Sequence, residues 1–399
     1  AAPHHHFTTH QCVEIGQYLY ENRSDVTYLP VTRITFGMLY TFIITCGVAG
    51  NIFVVAAVLS NKSLQSVRNL FIVSLSVSDI IVCIVSGTIT PITAFSKIWQ
   101  FGPTLCHFLP LIQGTSLCFS TFTLMAIAVD RFVLIIFPTR RPIQQIHALP
   151  MILFNIVVAV LISLPMFVRY RLEELTKYGN FCGQICNEIW DEGEEHGVFD
   201  DRKAYGTLVS VVQFGIPLVV IGFCYCMISL KISKGVLLRG NHEAPLITEQ
   251  RRNALKRRVR TNRMLIAMVA VFICCWMPNQ IFNFLRDYNS LPSFIESQDY
   301  LWGIITHCIS IMSTVWNPVL YALLNEQFRV AFKSLLNTLR GRPSQVLPYY
   351  QRIVFCCFPS ALSLLRNASF HSEIIMRRCI PDSSSLSFNA HTILLRDSL

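Results

Sequence analysis

Hydrophobic residues run through this chain in long stretches, and the ionisable residues collect between them. Asp, Glu, Lys and Arg are nearly missing from seven windows, 34–61, 69–96, 98–139, 142–168, 204–230, 264–285 and 300–325, which hold only Asp79, Asp130 and Arg131. Each window exceeds the ~20 residues a helix needs to cross a hydrocarbon core. Core helices of a soluble enzyme would carry charged faces at helical period, and these windows carry none. The pattern predicts an all-α membrane protein, a seven-transmembrane helix bundle. Its spans are Ile34–Ser60, Asn69–Phe95, Thr104–Phe137, Ala148–Val168, Ala204–Ser233, Ala254–Leu285 and Tyr300–Leu324. After the last span, residues 325–341 set Phe328, Phe332, Leu335, Leu336 and Leu339 on one face and Lys and Arg on the other. That reads as a short amphipathic helix, taken as 326–341, lying on the membrane surface.

Composition agrees with lipid as the solvent. The chain of 399 residues is 52% hydrophobic and 14% charged, where soluble proteins carry about 25%. The basic residues then orient the spans. Residues 231–263 carry ten Lys or Arg against Glu243 and Glu249, and Lys62, Arg68, Arg140 and Arg141 occupy short connections on the same side. Residues 169–203, on the other side, carry nine acids against five bases. The N-terminus is therefore expected outside and the C-terminus in the cytoplasm, as in a multi-pass plasma-membrane protein. Residues 1–33 become an extracellular tail, 34–325 the bundle, and 342–399 a mostly disordered cytoplasmic tail. The net charge of +10 belongs mainly to the cytoplasmic face, where anionic lipid and an acidic protein partner suit it better than nucleic acid. No cleavable signal peptide is read at "AAPHHHFTTH".

Cysteine use divides by side. Cys12, Cys106, Cys182 and Cys186 fall in expected extracellular segments, an oxidising setting, and a bridge from Cys106 to the 182–186 loop would pin that loop over the bundle. Cys356 and Cys357 fall on the cytoplasmic side as candidate palmitoylation sites. Asn22, in Asn22-Arg-Ser24, is a glycosylation sequon on the outer tail.

Several motifs then occur in order along the spans: Gly50-Asn51, "LSVSD" ending at Asp79, "DRF" at Asp130, Arg131 and Phe132, Pro217 and Tyr225, "FICCWMP" from Phe272 to Pro278, and "NPVLY" from Asn317 to Tyr321. Together they closely resemble the rhodopsin-like G-protein-coupled receptors over about residues 34–336. The resemblance implies that Asp79, with Asn51, Ser120 and Asn317, holds an allosteric sodium ion; a proton on the buried acid is the alternative, and the two can alternate. No other cofactor is expected. It implies that Asp130 neutralises Arg131 at rest. On activation, Arg131 would turn toward Tyr225 and a heterotrimeric G protein as the sixth helix swings out. Trp276, Phe272 and Pro278 would form the packing switch, with Asn317, Pro318 and Tyr321 on the seventh helix. Arrestin and receptor kinases follow as partners. Two departures stand out. Phe132 replaces the usual Tyr, and the fourth span has no Trp, with Asn155 or Ile156 in that neighbourhood. In addition, no acid occurs between Gln250 and Arg286, so the sixth helix cannot lock Arg131, and appreciable basal activity is expected.

The ligand is narrowed by elimination and by resemblance. The third-helix position where amine receptors carry Asp is Gln113, and the opsin Schiff-base position is Ile311. Residues 186–201 carry seven acids and no Lys or Arg, a field that would draw a cationic peptide, although a solvated acidic loop needs no such purpose. "CNEIW", with Cys186, Glu188 and Trp190, together with Thr90, Gln113, Asn283, Asp287 and His307, resembles receptors of the neuropeptide Y, neuropeptide F and invertebrate RFamide type. The resemblance implies an extracellular amidated peptide ending in Arg-aromatic, its Arg between Asp287 and Asn283 and its amidated aromatic toward Gln113, Thr90 and Trp276. It also implies Gi/o coupling; a tachykinin-like receptor coupling to Gq is the competing reading. The disulfide expected is Cys106–Cys186, with Cys12 and Cys182 as a candidate second pair. A transporter would need a polar path or inverted repeats, and a hydrolase would need facing catalytic groups. Neither pattern occurs, so no enzymatic activity is expected.

Overall fold

The computed structural model describes residues 12–139, 144–190, 201–237 and 245–339. All of them belong to one compact unit, Ala1–Arg342. Cys356, Cys357, Arg140, Arg141 and the acids between 191 and 200 lie outside the described residues.

Seven helices are long and apolar enough to cross a membrane: Pro30–Ser60, Val67–Ser96, Gly102–Ile136, Ile146–Arg169, Asp201–Ser233, Asn262–Asp287 and Asp299–Leu324. In lipid no water is available for backbone groups, so each charge-free run closes its hydrogen bonds within itself as a helix. The apolar side chains that remain exposed, such as Phe154, Leu161, Val219 and Phe223, cover the bundle's outer surface as lipid-facing residues would. The buried core, by contrast, mixes large apolar residues with Asn51, Asp79, Ser120 and Asn317. The helix that follows, Glu326–Leu339, buries Phe328, whose ring stacks on Tyr321 at 5.4 Å.

Prolines decide where the helices depart from regularity. Pro217 lacks an N–H and crowds the carbonyl four residues earlier, and the chain widens into a π turn at Val211–Gly215 just before it. The expected single seventh helix is two, Asp299–Ile311 and Ser313–Leu324, parted at Met312. Pro318 leaves the Thr314 carbonyl without a helix donor, and the Asn51 side-chain amide supplies one at 2.9 Å. Gly50 makes room for this: a Cβ there would stand 2.9 Å from the Pro318 ring. The Gly50-Asn51 and Asn317-Pro318 motifs are thus one packing unit. The sixth helix is longer than its expected start at Ala254, beginning at Pro245.

One end of the bundle carries the disulfides, and here the loop after the fourth span forms a hairpin. Strand β1 (Tyr170–Glu174) pairs antiparallel with β2 (Gln184–Glu188), setting Leu172 opposite Cys186 and Tyr170 opposite Glu188. Cys186 is bonded to Cys106 on the third span, so the hairpin is clamped across the helix ends.

Of the expected extracellular tail, residues 12–33 are described, and they are structured. Cys12 is bonded to Cys182, and a helix, Ile15–Arg23, follows. Asp25 caps the next short turn by accepting from the Thr27 N–H at 2.9 Å. Its carboxylate also meets the buried Lys97 ammonium at 2.8 Å, which lies over the Tyr300 ring at 3.4 Å. Burial alone would raise the Asp25 pKa, but hydrogen bonds from Lys97 and Thr27 outweigh it and hold it below the ordinary carboxylate value. Burial likewise draws the Lys97 ammonium down to about 8, partly offset by Asp25, which leaves the pair charged at neutral pH.

Candidate functional site

Beneath the hairpin a cavity of about 580 Å³ opens between the spans. Thr90, Gln113, Glu188, Asn283, Asp287 and His307, the six residues expected to meet a ligand, all line it, as does Trp276. They reach one space because the second, third, sixth and seventh spans converge there under strand β2, which carries Glu188.

A polar chain crosses the cavity's inner part. Gln113 donates from Nε2 to Ser86 and, at 3.1 Å, to the Thr90 hydroxyl. His307 Nε2 lies 3.1 Å from the same Ser86 hydroxyl, and its Nδ1 is 2.8 Å from the Tyr40 hydroxyl. Four helices are thereby joined through hydrogen-bonded side chains. Ser86 and Tyr40 are central to this chain and were missed in the sequence, where a Ser and a Tyr inside apolar spans give no distinguishing signal. Trp276 donates its indole N–H to Ser313 at 3.1 Å and packs on Phe272, which stacks on Phe214. Pro278 lies one half-turn beyond Trp276 on the same helix.

Charge gathers at the mouth. Glu188, Asp287 and Asp299 line it together with Arg202, Lys203 and Arg286, so among the described residues the acids do not stand alone. Arg202 Nη2 pairs with Asp287 at 3.0 Å, and its Nε lies 3.8 Å from Glu188. Glu188 also accepts from the Trp190 indole, whose ring lies under Arg169. Arg202 sits directly after the acidic run that drew attention in the sequence. Its place beside Asp287 depends on the packing of the fifth span against the sixth, which no local pattern encodes.

In the middle of the bundle Asn317 donates to Asp79 at 2.9 Å. Asn51 spends its side-chain N–H groups on the Gly47 and Thr314 carbonyls, leaving its Oδ1 buried without a hydrogen-bond partner. Ser120 is buried on the third span. At the opposite, basic end, Arg131 pairs with Asp130 at 2.6 Å, with Arg131 Nε buried and unpaired. Phe132 packs against Phe137 and Phe223, and Tyr225 is buried. The sixth helix has no acid from Gln250 to Arg286, although its early start brings Glu249 into the helix. Its Arg260 instead donates to the Leu324 carbonyl and to Glu326, both at 3.0 Å.

The bundle thus has a hairpin-covered cavity at one end and a half-buried Asp–Arg pair at the other. Residues 50–321 match the 7 transmembrane receptor (rhodopsin family), and the chain belongs to that family, a multi-pass membrane receptor rather than an enzyme. It is 33% identical over 346 residues to Neuropeptide receptor npr-1 of Caenorhabditis elegans, an alignment covering 78% of this chain and 74% of the relative. Neuropeptide Y receptor type 2 of Bos taurus is 33% identical over 316 residues, covering 78% and 77%. Neuropeptide receptor 3 of Caenorhabditis elegans is 33% identical over 305 residues, covering 76% and 78%.

Proposed function

We propose that this receptor binds an amidated neuropeptide ending in Arg-aromatic and converts that binding into nucleotide exchange on a heterotrimeric G protein of the Gi/o class. The observation that carries the reading is the cavity itself, with Asp287 and Asn283 toward its mouth and Gln113 within it. A carboxylate takes guanidinium in a charge-assisted pair. Gln113 commits both side-chain N–H groups to Ser86 and Thr90, which leaves an oxygen acceptor suited to a ligand carboxamide. The relatives named for neuropeptides favour the same class.

The cavity end faces outside and the basic end the cytoplasm, following the Lys and Arg excess of the connecting segments. Agonist favours the state in which the sixth helix is displaced, and Arg131 is then free to reach Tyr225 and the G protein. Asp79, Asn317, Asn51 and Ser120 are the residues that would hold a sodium ion at rest, a reading supported by their burial, the Asn317–Asp79 bond and the unpartnered Asn51 oxygen; a proton on Asp79 would serve the same end. Asn22 is exposed for glycosylation, Cys356 and Cys357 are the palmitoylation candidates, and arrestin and receptor kinases complete the partners.

The test is peptide binding to membranes carrying the full chain, using an amidated Arg-Phe peptide and its Ala-Phe analogue. Asp287→Ala should weaken the Arg peptide about 10- to 150-fold, the reach of a charged hydrogen bond, and leave the analogue nearly unchanged. Equal loss for both peptides would sink the assignment. Parallel cAMP and calcium readings decide between Gi/o and the tachykinin-like, Gq-coupled reading.

A further inference from the structure

We propose that Arg202 is a tethered counter-cation occupying the place a ligand arginine needs, so that peptide binding proceeds by exchange of one guanidinium for another at Asp287. The inference rests on the reading of Asp287 given above. It adds a residue that sets affinity and selectivity from inside the receptor.

Three observations support it. First, Asp287 is already paired: Arg202 Nη2 donates to Oδ1 at 3.0 Å. A ligand cannot find this carboxylate vacant. Second, the existing pair is incomplete. Arg202 Nε is buried without a hydrogen-bond partner, so the guanidinium does not use its full fork on Asp287. A ligand arginine free to approach in its best orientation has a bidentate geometry to gain. Third, the displaced residue has somewhere to go. Glu188 Oε2 lies 3.8 Å from that unsatisfied Nε, and a small shift toward β2 would bring the two into hydrogen-bond range. The Arg202 side chain is 39% exposed and that of Asp287 20%, which makes the pair reachable from the mouth rather than locked in the core.

The backbone fixes this arrangement. Arg202 lies in the first turn of the fifth span, and Gly206 follows one turn later. A Cβ at Gly206 would stand 3.3 Å from Asp287 Oδ2, so the carboxylate rests directly against that helix. Thr207 and Tyr288 add a hydroxyl contact at 2.8 Å between the same two spans. Asp287 is held beside the fifth span whether or not Arg202 contacts it. Removing the Arg202 charge should therefore empty the site without dismantling it.

The experiment measures equilibrium binding of the amidated Arg-Phe peptide and its Ala-Phe analogue to full-length receptor in membranes, wild type against Arg202→Gln, Asp287→Ala and the double variant. Arg202→Gln should tighten the Arg peptide roughly two- to fivefold, the range of a partly exposed ion pair, with the analogue unchanged and no gain in the Asp287→Ala background. Arg202→Lys, which keeps the charge but loses the fork, should tighten it less, and it serves if Arg202→Gln fails to reach the surface. Unchanged or weaker binding of the Arg peptide would overturn the exchange and leave Arg202 as a clasp between two helices. Equal tightening of both peptides would also overturn it, as a general widening of the mouth. If Asp287→Ala fails to separate the two peptides in the first place, the functional reading falls and the exchange with it. If Asp287→Ala separates them but Arg202→Gln does not tighten binding, only the exchange falls.

Discussion

The two ends of the bundle are held by different kinds of force. At the disulfide end, Cys106–Cys186 and Cys12–Cys182 join the third span, the hairpin and the N-terminal segment covalently, and the buried Lys97–Asp25 pair ties that segment to the bundle. At the basic end, among the described residues, the contacts are noncovalent: Asp130 on its neighbour Arg131, Lys231 on the Ile136 carbonyl at 2.7 Å, and Arg260 on Glu326. Covalent and buried ionic links keep one cavity shape, whereas partly exposed polar links separate at little cost. The contrast suits a receptor that must present a defined pocket on one side and open a cleft on the other.

The largest effect that would break this comparison is expected at Lys97. Lys97→Ala leaves Asp25 buried and uncompensated, a loss of about 3–5 kcal/mol for a broken buried pair. Hydrogen exchange should show the segment from Val13 to Leu29 losing protection while the spans keep theirs. Protection unchanged there would mean that the disulfide alone holds the segment. The same pair gives a pH test. Because the Asp25 pKa is lowered in the folded chain, its contribution is complete above the ordinary carboxylate pKa and is lost as pH falls through the depressed value. Protection factors in this segment, exchange rates taken relative to the unstructured chain at the same pH, should therefore fall in acid, and Asp25→Asn should flatten that dependence.

Effects at the basic end should be smaller and should appear in signalling instead of stability. Asp130→Asn removes the charge that, among the described residues, pairs with Arg131, and ligand-free nucleotide exchange should rise roughly fivefold, equivalent to about 1 kcal/mol. Wild-type activity indistinguishable from cells lacking the receptor would count against the expectation of appreciable basal signalling, because it would require a second restraint on Arg131. Arg260→Ala comes last. Glu326 is 70% exposed, and such a pair is worth about 1 kcal/mol or less, so basal exchange should change by no more than about fivefold. A larger rise would make Arg260 a restraint on the basic end in place of the acid missing between Gln250 and Arg286.

Much of this was legible from the chain alone. The seven charge-free windows gave seven helices because lipid leaves a polar backbone no other partner, and that constraint acts on every residue of a span. The ligand-contact candidates could be identified because the family resemblance assigns them, Gln113 by its distance from Cys106 and Asn283 and Asp287 by theirs from Pro278. The helix of the N-terminal segment was not legible. Its surroundings are fixed by partners distant in sequence, Cys182 bonded to Cys12, Phe181 against Tyr18 and Lys97 on Asp25, and its own residues form no long apolar run.

The sequence by itself therefore determined the bundle, its family and the residues around its cavity, since hydropathy and motif order are local properties. Tertiary structure decided which of those residues are already engaged. Asn51 is committed to the carbonyl freed by Pro318, Gln113 to Ser86 and Thr90, and Asp287 to Arg202. Each engagement joins different helices, and its geometry depends on how those helices pack, which spacing along one chain segment does not specify.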